Sequence, residues 1–386
     1  MSRKLLKRRE KYFEFVTNIE EKILMEQYEN KSGGYNETIR KMFTFKGEEC
    51  IINNGNKKYR AGKLDILSIG ELREKTDKLN KKGGGNFSVV IGYKTDINST
   101  YRDKVDIAAL QTNEKNKGAV FQIASNFSGL EPICKTDIPE NGISKYIHDN
   151  TQGPIASISA APGLIYRMYG IFNKKIDEKD WRQQNNNQIN LLHNVSSFYP
   201  VVNGYVDLSL CKYLLRPVHN LINLIQIGFH HNIQTTYGLS YGQDYEVCTN
   251  DSQIINQIFT SSIDLGNSSG NTNYLLFDKY PGIVTDLTQV LLDAAYEGTI
   301  RSCWLYDKQI LYLTLIGGGV FNNSLSWIAQ SLEKLSSLII DSGITITLVI
   351  YNYHHLLTHS SLAVDSFIQR IKDLSVKTNG NFTVYK

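Results

Sequence analysis

From Ile310 the chain runs through a mostly apolar stretch to Ile316, then Gly317-Gly318-Gly319, then Val320, Phe321, Asn322 and Asn323. An amphipathic segment starts at Leu325. This order describes a buried strand that feeds a tight loop and then a helix N-terminus. Glycines let a backbone approach a ligand closely. A helix N-terminus offers unpaired N–H groups and the positive end of a dipole, which favours an anion. The run therefore reads as a diphosphate-binding loop, with Gly317, Gly318, Gly319, Val320, Phe321 and Asn322 as its residues. It is neither a P-loop, since no Gly-Lys-Ser/Thr follows, nor a GxGxxG fingerprint, since the spacing differs. Phe321 is a large apolar side chain in a tight loop, a position that suits contact with a flat or sugar-like group. A glycine-rich turn without a ligand is the plain alternative.

The remaining segments support an alternating α/β chain. Strands are predicted at Phe87–Tyr93, Ala119–Ala124, Leu224–Phe229, Ile258–Asp264, Ile310–Ile316 and Ile344–Ile350. Most are near-continuous apolar runs, as in strands buried on both faces. Helices are predicted at Pro154–Tyr169, Asp286–Thr299, Leu325–Ser337 and Val364–Leu374. Leu325, Ile328, Ala329, Leu332 and Leu335 form one core-facing stripe. The expected fold is a three-layer α/β/α sandwich around a central mixed sheet. Ligands in such folds sit at the carboxyl ends of strands. Residues 1–60, with a helix candidate from Lys11 to Tyr28, read as an N-terminal helical extension, and 61–386 as the main domain. The Lys78–Asn86 glycine run reads as a solvated turn, and Trp181–Asn190 as an exposed loop.

Composition excludes several classes. The 386 residues carry a net charge of +4, too small to imply a nucleic-acid partner. No apolar run is long enough for a membrane-spanning helix. The basic start, Met1 to Glu10, has no apolar region after it and does not read as a secretory signal. The five cysteines are scattered with no CxxC pair, which points to a reducing, cytoplasmic location and leaves a secreted effector open. His230-His231 and His354-His355 are adjacent pairs, each expected to point to opposite faces of a strand, so no metal site and no cofactor are expected.

Two further groups carry chemistry. The strand at Ala119–Ala124 leads to Ser125 and Asn126, whose amide both donates and accepts hydrogen bonds and suits ribose hydroxyls. Thr151-Gln152-Gly153-Pro154 then opens a helix, since proline fits a first helical position and the residues before it can cap. The other group is an acidic stripe. Asp286, Asp293 and Glu297 fall on one side of a helix, with Asp278 just before it. The stripe reads either as a solvated face or as a carboxylate cluster for a cationic group or for acid/base work.

Taken in order, these pieces resemble the macrodomain superfamily, the ADP-ribose-binding α/β/α fold. Val105-Asp106-Ile107 resembles its Gly-Asp-Ile, and Ile123-Ala124-Ser125-Asn126 its strand ending in Asn-Ala-Ala-Asn. Thr151–Pro154 stands where its catalytic loop would be, and Gly317–Phe321 resembles its diphosphate loop. The resemblance implies that Asp106 holds the adenine amino group, that Asn126 contacts the distal ribose, and that Gly317 to Phe321 cradle the diphosphate. A narrower likeness joins Asn126-Phe127, Thr151–Pro154 and Leu292–Thr299 to the atypical MavL-type hydrolases, which remove ADP-ribose from arginine side chains. The usual multi-glycine catalytic loop is absent, and no Gln-Glu-Glu of the poly(ADP-ribose) glycohydrolases follows Gly153. The implied activity is hydrolysis of ADP-ribose from a modified protein arginine, with Asp286, Asp293, Glu297 and Asp278 as catalytic candidates. The implied partners are ADP-ribose and an ADP-ribosylated protein, and the alternative is a reader that binds without turnover.

Overall fold

The computed structural model describes residues 11–29, 41–47, 49–55, 57–95, 99–171, 182–239, 245–248, 250–356 and 361–386. The basic start and Trp181 lie outside the described residues. One sheet of ten strands organises them: β1 (Phe43–Lys46), β2 (Glu49–Asn54), β3 (Lys57–Ser68), β4 (Asn86–Gly92), β5 (Val120–Ala124), β6 (Gln226–Gln234), β7 (Ile254–Thr260), β8 (Ile310–Leu313), β9 (Thr345–Ile350) and β10 (Phe382–Tyr385). Their order across the sheet is β1-β2-β3-β6-β7-β5-β8-β9-β4-β10. From β7 to β10 every neighbouring pair is parallel, and from β7 back to β1 every pair is antiparallel. The sheet is therefore mixed.

The helices used below are α1 (Tyr12–Thr17), α2 (Glu21–Glu29), α3 (Ile69–Thr76), α4 (Gln152–Ser159), α5 (Ala161–Tyr169), α6 (Pro281–Leu305), α7 (Leu325–Glu333) and α8 (Ser361–Lys377). They cover both faces. On β5, Val120 belongs to the core shared with α3, α6, α7 and α8, whereas Phe121 and Ile123 pack with Ala156 and Ala160 on the opposite face. This alternation follows from the two-residue period of a strand. The result is a three-layer α/β/α sandwich.

Several boundaries differ from the sequence reading, each for a local reason. Helix α6 begins at Pro281, where a missing N–H costs nothing. Ser324 caps α7, its hydroxyl accepting from the Ser326 amide at 3.2 Å, and the helix stops at Glu333 before a second one at Ser336–Ser342. The Pro154–Tyr169 segment is two helices meeting at Ala160, and the Lys11–Tyr28 segment is also two. Strand β3 runs through residue 60, so the first 60 residues and the rest share one sheet. His354 lies in a short helix, Tyr353–Leu356, rather than on a strand. Among the described residues no helix is long and apolar enough to cross a membrane.

Candidate functional site

A cavity of about 830 Å³ opens at the carboxyl ends of β5, β8 and β9. Ala124 to Asn126, Leu313 to Phe321 and Val349 to Asn352 form its floor and one wall. Residues between Arg102 and Leu110 and between Asp149 and Ile155, Gly153 excepted, complete the lining.

The glycine loop is held open by α6. The Tyr296 hydroxyl donates to the Thr314 carbonyl and accepts from the Ile316 amide, both at 3.0 Å. These bonds replace sheet pairing, which is why β8 ends at Leu313 and not at Ile316. Gly317 adopts φ +72°, and a Cβ there would stand 2.2 Å from Asn323 Oδ1, so only glycine fits. Among the described residues the amides of Gly319, Val320 and Phe321 find no acceptor, whereas those of Gly318, Asn322 and Asn323 bond to Leu315, Gly319 and Gly317 carbonyls. Three successive unpaired N–H groups make an anion-binding concavity. Phe321 lies 5.8 Å from Tyr205, ring to ring, and both rings line the cavity. Asn322 lies outside the cavity wall: it is exposed, in the left-handed region at φ 53°, a conformation Asn tolerates. Its neighbour Asn323 is the buried one, donating to the Ile263 carbonyl at 2.8 Å.

Asn126 sits in the wall as a buried residue, and its Oδ1 has no hydrogen-bond partner among the described residues. An orphaned buried acceptor costs about 1–3 kcal/mol, so the position favours a ligand hydroxyl. Asp106 also lines the cavity, but its carboxylate caps a helix: Oδ1 accepts from the Ala108 and Ala109 amides at 2.9 and 3.2 Å, and Oδ2 from Arg102 Nε. The Gln152 side chain extends β5, accepting from the Ala124 amide at 2.8 Å and donating to the Gln122 carbonyl at 2.9 Å. Thr151 makes no side-chain cap bond, so the start of α4 is open toward the cavity. Gly153 does not line the wall; a Cβ there would meet the Ala124 carbonyl at 2.3 Å and Glu131 Oε2 at 2.5 Å. Its role is close packing of α4 against β5 and Glu131.

The acidic stripe lies elsewhere. None of Asp278, Asp286, Asp293 and Glu297 lines this cavity. Asp286 pairs with Arg216. Asp293 accepts from Ser331 at 2.7 Å and Lys334 at 2.6 Å. Burial would raise the Glu297 carboxyl, but bonds from Arg73 and Arg301 hold it below the usual range. Asp278 is exposed near the end of the helix Asn273–Lys279. Asp286, Asp293 and Glu297 share one side of α6, and there Asp293 and Glu297 meet the end of α7 and α3 rather than the strand ends. Glu297→Ala is therefore expected to leave any chemistry in the cavity unchanged. It should cost about 1–3 kcal/mol of stability, because it removes a carboxylate shared by Arg73 and Arg301 and leaves Arg301 its bonds to Asp77 and Thr76. Denaturant unfolding beside a turnover assay measures both.

Glu131, which sequence reasoning missed, is a buried carboxylate that the cavity does contain. It is 2% exposed, lines the wall and accepts from the Ser157 hydroxyl at 2.9 Å. Burial pushes its carboxyl up to about 7 against the pull of Arg167, and the charge of Asp149, also in the wall, adds to the rise. Arg167 is fully buried, stacks 3.8 Å over Phe259 and donates to the Gly129 carbonyl at 2.7 Å. His230 Nε2 faces the Ala61 carbonyl at 2.7 Å, so that nitrogen carries the proton and Nδ1 accepts from Arg167. The signal for Glu131 was an acidic residue inside the tight turn Asn126–Glu131, where Gly129 takes φ +67°.

No protein-family model matches this chain, and a search of curated proteins finds no match. Among solved structures, poly(ADP-ribose) glycohydrolase from Deinococcus radiodurans in complex with ADP-ribose aligns over 81% of this chain and 95% of its own, at 12% identity and a TM-score of 0.41. Poly(ADP-ribose) glycohydrolase from Thermomonospora curvata aligns over 80% of this chain and 85% of its own, at 7% identity and a TM-score of 0.40. These are likenesses of outline, and the site is read from its own geometry.

Proposed function

We propose that the cavity is a macrodomain-like ADP-ribose site and that the protein hydrolyses the glycosidic bond joining ADP-ribose to a protein side chain. The observation that carries this reading is the juxtaposition of the unpaired Gly319–Phe321 amides with buried Glu131 in one cavity. The amides suit a diphosphate, the orphaned Asn126 Oδ1 suits a ribose hydroxyl, and Glu131 is a carboxylic acid still partly protonated near neutral pH.

In the step we envisage, the C1″ bond to the side chain breaks and its electron pair leaves with the departing atom. That atom takes the Glu131 proton. Developing positive charge on the ribose is offset by Asp149, by analogy with glycoside hydrolysis. Water then adds at C1″ and returns its proton to the Glu131 carboxylate, giving free ADP-ribose. Asp278, Asp286, Asp293 and Glu297 have no part in this scheme.

The finer reading is that the side chain is arginine. Its support is Asp149 in the same wall as Glu131, since a guanidinium is a planar cation that a carboxylate matches. Release from arginine-, serine- and glutamate-linked substrates under single-turnover conditions separates the cases. Arginine-linked ADP-ribose is expected to be released fastest, by about ten-fold or more. Faster release from serine would reassign the linkage and keep the hydrolase. Tight ADP-ribose binding with no release from any linkage would leave a reader.

A further inference from the structure

We propose that Glu21, on the N-terminal helix α2, is a positioning residue for the cavity wall that carries Glu131 and Asp149. This inference rests on the hydrolase reading above. Glu21 is 7% exposed and does not line the cavity, yet its carboxylate accepts from the Ile143 amide at 2.9 Å and the Ser144 amide at 2.6 Å. The Tyr169 hydroxyl, on α5, donates to the same carboxylate. Gly142 makes the approach feasible: at φ +80° it places its α-carbon where a Cβ would stand 2.7 Å from Glu21 Oε2. Helix α1 adds a second clasp, with the Tyr12 hydroxyl donating to the Ile143 carbonyl at 2.7 Å.

The clasped segment leads directly to the wall. Ile143 begins a turn through Tyr146, a buried residue whose hydroxyl lies beside Glu131. The Asp149 amide donates to the Tyr146 carbonyl at 3.1 Å, and Asp149 Oδ1 accepts from the Thr151 amide at 2.8 Å. One carboxylate on the N-terminal helices thus holds two amides of the segment that props both wall carboxylates. Charge-assisted bonds of this kind are short and directional, so they fix position as well as adding stability. The N-terminal helices are in this account part of the site's scaffold.

The test compares wild type, Glu21→Gln and Tyr12→Phe, with Glu14→Gln as a control on the exposed side of α1. Amide hydrogen exchange at Ile143 and Ser144 reads the clasp, and ADP-ribose affinity and single-turnover release read its consequence. In Glu21→Gln the two amides should exchange at least ten-fold faster. Release should slow by about ten-fold, while ADP-ribose affinity stays within about three-fold. Tyr12→Phe, a milder change, should move both in the same direction by less, and the Glu14→Gln control should move neither. Unchanged exchange at Ile143 and Ser144, or faster exchange with wild-type release, would overturn the positioning role. A wild type that releases nothing from any linkage would instead overturn the hydrolase reading, and exchange at the two amides would still decide whether Glu21 holds the segment.

Discussion

Glu131→Gln is expected to slow ADP-ribose release by about 10²–10⁴-fold while leaving ADP-ribose affinity within a few-fold. Glutamine keeps the shape and the bond to Ser157 but cannot give up a proton to the leaving group. The same substitution should stabilise the fold, and the sign follows from the direction of the shift. Burial raises the folded-state carboxyl from 4.5 to about 7, so the folded protein binds a proton more tightly than the unfolded chain. Stability contributed by that proton is complete below pH 4.5 and is lost as pH rises to about 7. Above that window the wild type carries an ionised buried carboxylate and Glu131→Gln does not. The variant should therefore be more stable at pH 8 by roughly 3 kcal/mol, and no more stable at pH 4. Wild-type release should fall as pH rises through about 7, because the protonated form is the acid. Unfolding curves at the two pH values and a pH–rate profile measure these effects, and a rate that rises through the same window would make Glu131 a base instead.

Gly319→Glu should abolish ADP-ribose binding without disturbing the fold. A Cβ at Gly319 meets nothing within 4 Å, whereas one at Gly318 would stand 2.9 Å from Ile328 Cδ1 and strain the packing of α7. The new carboxylate would lie beside the unpaired Gly319–Phe321 amides, where the diphosphate is expected. Two like charges about 4 Å apart near a protein surface repel by about 4 kcal/mol, enough to weaken binding by about 10²–10³-fold. Calorimetry measures the affinity and circular dichroism the fold. Wild-type affinity in a folded Gly319→Glu protein would move the phosphate site elsewhere.

Much of the scaffold was legible because parallel strands write themselves as apolar runs. Strands β5, β8 and β9 fall inside runs of this kind, and β4 overlaps one from Phe87 to Gly92. Strands β1 to β3 were not legible: Lys57-Lys58-Tyr59-Arg60 is mostly polar, because the antiparallel side of the sheet leaves alternate residues near solvent. The glycine loop could be read because glycine reports backbone conformation directly, and Gly317 has the positive φ that only glycine adopts easily. The carboxylate proposed to act in catalysis could not. Spacing on α6 fixed which side of the helix Asp286, Asp293 and Glu297 share, but their partners, Arg73 of α3 and Ser331 and Lys334 at the end of α7, come together only in the fold. Glu131 gains its character from Ser157 and Arg167, which are distant in the chain and meet it only in the fold. Gln152 shows the same lesson in reverse, since its position matched a ligand loop while its side chain serves β5.

The central claim is that one cavity both binds ADP-ribose and cleaves its bond to a protein. Single-turnover incubation of purified protein with an arginine-ADP-ribosylated substrate, wild type beside Glu131→Gln, tests it most directly. The account predicts free ADP-ribose from wild type and release slowed by at least about 10²-fold in Glu131→Gln at similar affinity. Equal release by the two proteins would contradict it.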